Sequence, residues 1–123
     1  MNTPKKDALK LEQRVSDLLL MLGCDASLNG FEYARSAIIY LAFKQGPFSM
    51  MYDVYPVIAE LYDTEVSRVE RNIRHMIEMA WRKGRANDMN KYFGFKIYNK
   101  NTKPNNKSFL LLLADRVTLE FSF

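Results

Sequence analysis

Apolar positions along most of this chain recur at helical rather than strand spacing. Lys5 to Leu22 places Leu9, Val15, Leu18, Leu19 and Leu22 on one stripe, and Gly23 ends it. Phe31 to Lys44 follows Asn29-Gly30, sets Ala34, Ile38, Leu41 and Ala42 on a shared face, and runs into Gly46-Pro47. Met50, Met51, Val54, Ile58 and Leu61 form a third stripe. With Asp53 as its N-cap, Pro56 falls in the first turn, where a missing N–H has no intrahelical acceptor to lose. The fourth and most regular stretch runs from about Val66 to Lys83 and is closed by Gly84. Asp88 to Phe93 leaves room for one or two turns, Phe95 and Ile97 read as extended, and Asn99 to Asn106 is a polar loop. A last helix from about Asn106 to Glu120 buries Phe109, Leu112, Leu113 and Val117. The pattern predicts an all-α fold, a single compact domain of about six helices over residues 1–123, with no internal repeat and no linker.

Composition narrows the class. With 123 residues, 48% apolar and 26% charged, the chain has the make-up of one small globular domain. The longest apolar run, Phe109 to Ala114, stops at Asp115-Arg116, far short of the roughly 18 to 20 residues a membrane helix needs, so no membrane partner is expected. The N-terminal segment has no secretory pattern, and the single cysteine, Cys24, fits a reducing cytoplasm. One histidine, no glycine-rich phosphate loop, no paired ligand spacing and no nucleophile beside a base argue against an enzyme, a metal or a cofactor.

Charge is unevenly placed. Residues 1–66 hold six Lys or Arg against nine Asp or Glu, a net of −3; residues 67–123 hold twelve against five, a net of +7. Such a one-sided positive field suits a polyanion partner, although an unevenly charged solvated surface would read the same.

The helical wheel locates that charge. At about 100° per residue, Val66, Val69, Ile73, Met76, Ile77 and Ala80 share one dry sector. Opposite, within about 60° of Ser67, lie Glu70, Arg71, Arg74 and Glu78, with Arg68, His75 and Arg82 on the flank. The helix before it, Tyr55 to Tyr62, carries Ala59 ten residues ahead of Val69. Asp63-Thr64-Glu65 makes the connection. This is helix-turn-helix spacing, spanning about residues 54–83: a small residue permits close crossing, and a later Val fills the angle. Asp63 stands where such motifs often carry glycine, and Asp tolerates the left-handed conformation.

A helix fits the major groove of double-stranded DNA, where Arg forks onto guanine O6 and N7 and a carboxylate accepts from cytosine N4. On this chemistry Arg71 and Arg74 are guanine readers and Glu70 a cytosine reader. Ser67 reaches a base edge or a phosphate, and Arg68 and His75 suit phosphates. The competing reading of Glu70 is a capping box, Ser67-x-x-Glu70; that of Arg74, Glu78 and Arg82 is a surface ion-pair ladder.

The run Ser67-Arg68-Val69-Glu70-Arg71-Asn72-Ile73-Arg74-His75-Met76-Ile77-Glu78-Met79-Ala80-Trp81 resembles the recognition helix of the stage-zero sporulation response-regulator family (sporulation initiation protein A). The similarity continues through Tyr55-Pro56, Ile58-Ala59, Phe93-Gly94, Lys103-Pro104, Asn106, Ala114-Asp115 and Leu119-Glu120, covering about Gly23 to Glu120. It implies a six-helix DNA-binding effector domain that activates or represses transcription at TGTCGAA-like sites, often as tandem homodimers, in the nucleoid-containing cytoplasm. It puts Arg68, Glu70 and Arg71 on the bases, and leaves the base-facing set as Ser67, Arg68, Glu70, Arg71 and Arg74, with His75, Arg82 and Lys103 on phosphates. The segment matching Asn87 to Lys103 is implied to touch the sigma subunit of RNA polymerase, through Met89, Lys91, Tyr92 and Phe93; Met89, Asn90, Lys91 and Tyr92 depart from the small polar residues of the family there. The receiver domain of the family, with its acidic pocket and βα repeats, has no counterpart here, which implies either the effector part of a longer regulator or a receiver-less relative. The alternative from another class is a protein-interaction module using Trp81, Tyr92, Phe93, Phe121 and Phe123, aromatics that serve equally as core.

Overall fold

The computed structural model describes residues 4–83, 90–91 and 102–121. Five helices form an all-α bundle: α1 (Pro4–Met21), α2 (Asn29–Phe43), α3 (Tyr55–Leu61), α4 (Val66–Arg82) and α5 (Asn106–Phe121), with a π-helical turn at Met50–Val54 leading into α3. Asn90 and Lys91 are helical, within the span expected to hold one or two turns; Phe95 and Ile97 lie outside the described residues. No described helix is long and apolar enough to cross a membrane.

The bundle is built around α2. Gly30, Phe31, Tyr33, Ala34, Ala37, Ile38 and Leu41 are all buried, which spans a sector of about 160° of its circumference, and α1, α4 and α5 pack against it. This exceeds the one-sided stripe expected from the sequence, and Ala42 is only half-buried. Asn29 and Gly30, read as preceding the helix, form its first turn. On α1 the expected stripe shifts. Leu11, Val15, Leu18, Leu19 and Leu22 are buried while Leu9 is exposed, because Leu11 shares a face with Val15, Leu18 and Leu22, and Leu9 sits about 200° away from it. Gly23 ends α1 at φ 89°, with Cys24 N–H bonded to Leu19 O and Gly23 N–H to Leu20 O, the two bonds of a Schellman cap. Burial pushes the Cys24 thiol up to about 12, so it is a small apolar core group rather than a nucleophile at neutral pH.

The start of the third stripe differs from expectation for a definite reason. Asp53 is not the N-cap of α3. Ser49 caps the π turn by accepting from Tyr52 N–H at 3.3 Å, and the Asp53 carboxylate reaches back to accept from Ser49 N–H at 2.6 Å, a reciprocal box. Pro56 stands in the first turn of α3, as expected. Its ring crowds the carbonyl four residues back, and the turn before it opens to the wider pattern, with Tyr55 N–H on Met50 O. Of the predicted stripe Met50, Val54 and Ile58 are buried, whereas Met51 and Leu61 are exposed.

Helix α5 closes the bundle with Phe109, Leu110, Leu113, Ala114 and Val117; Leu112, one position off that face, is half-buried. Its far end is tied to α1 by a forked pair, Arg14 Nε and Nη2 to the two Glu120 carboxylate oxygens at 2.7 and 2.8 Å. The hydrogen bonds from Arg14 hold the Glu120 carboxyl below its ordinary 4.5. A lowered carboxylate pKa adds stability above the unfolded value, and that stability is lost as pH falls through the folded one. The stability gap between the wild-type chain and Glu120→Gln is therefore expected to be constant near neutrality and to close below pH 4.5, as read by denaturant melts across pH.

Candidate nucleic-acid interface

The connection between α3 and α4 has helix-turn-helix form. Ala59 and Val69 are both buried in the core, and Asp63 adopts φ 52°, the left-handed state foreseen for it. Thr64 N–H bonds to Ala59 O at 2.8 Å and Asp63 N–H to Glu60 O at 3.3 Å, so a Schellman cap with Asp in the glycine position sets the angle at which α4 leaves. Tyr62 at the end of α3 is held by Ser36 Oγ at 2.7 Å and stacks edge-on against Tyr33, which fixes α3 to α2.

Helix α4 buries Val69, Ile73, Met76, Ile77 and Ala80 on one side. The opposite side exposes Ser67, Arg68, Arg71, Arg74, His75 and Arg82, as the wheel anticipates. Glu65, not Ser67, is the N-cap residue, and no side chain caps the helix. The Ser67-x-x-Glu70 box is thus not formed, because Ser67 already lies inside the first turn.

The charged face divides into two parts with different electrostatics. Arg68, Arg71, Asn72 and His75 line a polar concavity of about 400 Å³. Among the described residues their side chains enter no ion pair; the amide of Asn72 donates to the Arg68 carbonyl at 2.7 Å. Sequence reasoning left Asn72 out of the candidate set, although its spacing of four from Arg68 and three from His75 places it between them. The other part is internally paired. Glu70 meets Arg74 at 3.2 Å, and Glu78 meets both Arg82 at 3.0 Å and Lys103 at 3.7 Å. The expected ladder therefore exists, with Arg74 on Glu70 rather than on Glu78. Lys103, far away in sequence, is brought alongside α4.

Two further residues went unnoticed in the sequence. Gly30 in the first turn of α2 lies against α4 so closely that a Cβ there would run into the Asn72 carbonyl oxygen, 2.8 Å from its carbon and 3.1 Å from Met76 Cβ. Among the described residues Asn106 is the buried polar residue of the core, and its amide donates to the Tyr55 hydroxyl and to the Glu70 carbonyl, both at 3.0 Å. Burial pushes the Tyr55 hydroxyl above its ordinary value, and the Asn106 hydrogen bond offsets part of that rise. Of the residues implied to touch polymerase, Lys91 is exposed, and Met89, Tyr92 and Phe93 lie outside the described residues. Trp81 and Phe121 pack partly buried against the core.

A helix-turn-helix whose second helix shows an arginine-rich outer face, in an all-α bundle, defines a DNA-binding effector domain. The family model described as sporulation initiation factor Spo0A C terminal matches residues 15–117 of the chain. The chain belongs to that family: it is a DNA-binding effector domain of a sporulation regulator, a class whose work is transcription regulation.

Proposed function

We propose that the chain regulates transcription by reading TGTCGAA-like sites with α4 in the major groove. The observation that carries this is the outer face of α4, where Arg68 and Arg71 stand exposed beside His75 and, among the described residues, in no ion pair, behind a correctly closed turn. In this reading Ser67, Arg68, Glu70, Arg71 and Arg74 face bases, and His75, Arg82 and Lys103 hold phosphates. Glu70 accepts from a cytosine amino group once Arg74 turns to its own base, so the pair seen in the free protein is exchanged for base contacts. Residues 1–123 act as one effector unit, two copies sit on tandem sites, and the Asn87–Lys103 segment, with Met89, Lys91, Tyr92 and Phe93, meets the polymerase sigma subunit. The partly buried state of Trp81 and Phe121 favours DNA over a purely protein-binding role for this surface.

Fluorescence anisotropy with a TGTCGAA duplex and a scrambled one tests the reading. Preference for the first is expected at moderate salt. If Arg82 and Lys103 each meet a phosphate, affinity falls about 12-fold between 50 and 200 mM salt through counterion release. Equal binding of both duplexes would sink the base-reading assignment.

A further inference from the structure

Asn106 is costly to bury, because an amide taken from water must be repaid in hydrogen bonds, and α5 already has Phe109, Leu110, Leu113 and Val117 to anchor it. Its position explains the choice. Asn105 caps α5, accepting from Ser108 N–H at 2.8 Å through its side chain and from Phe109 N–H at 3.1 Å through its carbonyl, which fixes the backbone of the next residue. From there the Asn106 amide spans both helices of the helix-turn-helix. One bond goes to Tyr55, the first residue of α3, and the other to the carbonyl of Glu70, a base-facing position of α4. Three residues upstream, Lys103 reaches Glu78, two turns further along α4. The 103–106 connection is therefore held against α4 at two heights.

We propose that Asn106 is a positioning residue for DNA reading, a pin that makes α3, α4 and the Lys103-bearing connection engage a duplex as one rigid body. Packing alone lets helices slide by fractions of an ångström, whereas a buried amide that donates both of its N–H groups across two helices fixes a single register. Bases read from α4 and phosphates held from Lys103 must be met at once, so loss of register costs discrimination more than it costs general attraction. The inference rests on the DNA-reading assignment above.

The test uses the full chain in anisotropy titrations on TGTCGAA and scrambled duplexes over a salt series, comparing wild type, Asn106→Asp, Lys103→Ala and the double variant, with folding followed by circular dichroism. Aspartate keeps the shape but cannot donate to the Glu70 carbonyl. The expected result is a folded Asn106→Asp protein whose preference for the TGTCGAA duplex falls about tenfold. Lys103→Ala should lower the salt slope by about 0.9 in the wild-type background and by much less in the Asn106→Asp background. A folded Asn106→Asp variant with wild-type preference and an undiminished Lys103 effect overturns the proposal and reduces Asn106 to a stability role. Should Asn106→Asp fail to fold, Tyr55→Phe removes one acceptor only; a roughly threefold loss of preference is expected from a weakened pin, and an unchanged preference overturns it. A wild-type chain that binds both duplexes alike removes the base-reading assignment and this proposal together. A preference that survives in the variants removes the proposal alone.

Discussion

Gly30→Ala is expected to lower the melting temperature by about 10 °C. The added carbon would occupy the place of the Asn72 carbonyl oxygen, and the atoms it meets are backbone rather than the end of a pliable side chain. Helices α2 and α4 must then part along their line of contact. Replacing a helical glycine by alanine favours the helix by up to about 1 kcal/mol, but overpacking against backbone costs about 3 kcal/mol or more, so a net loss of about 2 kcal/mol or more remains. Thermal melts followed at 222 nm measure it. A variant melting within about 2 °C of wild type would show that the two helices separate without penalty. The effect reaches the interface as well, since Asn72 lies between Arg68 and His75, and a shifted α4 carries all of them with it.

Arg71→Ala is expected to weaken binding to the TGTCGAA duplex by about 1 to 3 kcal/mol, roughly 5- to 150-fold, and to relax preference at one G·C pair. Arg71 is the arginine at the centre of the exposed face, and among the described residues it has no ion pair to give up when it binds. Arg74 starts from a different state. It leaves Glu70 before it meets a base, so Arg74→Ala should cost less than Arg71→Ala, although composition and wheel position treat the two alike. Titrations of both variants against duplexes altered one base pair at a time provide the measurement. Equal losses at every altered position would mark Arg71 as a phosphate contact instead of a reader.

Much of this was legible in the sequence because it depends on local rules. The left-handed state of Asp63 followed from its place between two helical stripes, and the buried side of α4 followed from a spacing of three and four. The errors came where a residue answers to something distant or to a competing local bond. Leu9 is the exception, since about 200° of helix separates it from Leu11 and the wheel itself puts Leu11 with Val15, Leu18 and Leu22. Asp53 makes a good cap in isolation, but Ser49 four residues earlier takes that role and turns Asp53 into its complement. Gly30 looked like punctuation before a helix. Only the approach of α4 reveals it as a contact point, and the same holds for Asn106, whose two acceptors lie 51 and 36 residues away in sequence.

The split between paired and unpaired charge on α4 bears on how such a domain finds its site among a genome of wrong ones. Glu70 offsets Arg74 while the protein is free, so this cation contributes little to the sequence-blind attraction that holds a protein to any duplex. Weak attraction means short stays on unrelated DNA and a faster search. The withheld charge is released only where a base partner competes for the carboxylate, which widens the margin between the right sequence and all others.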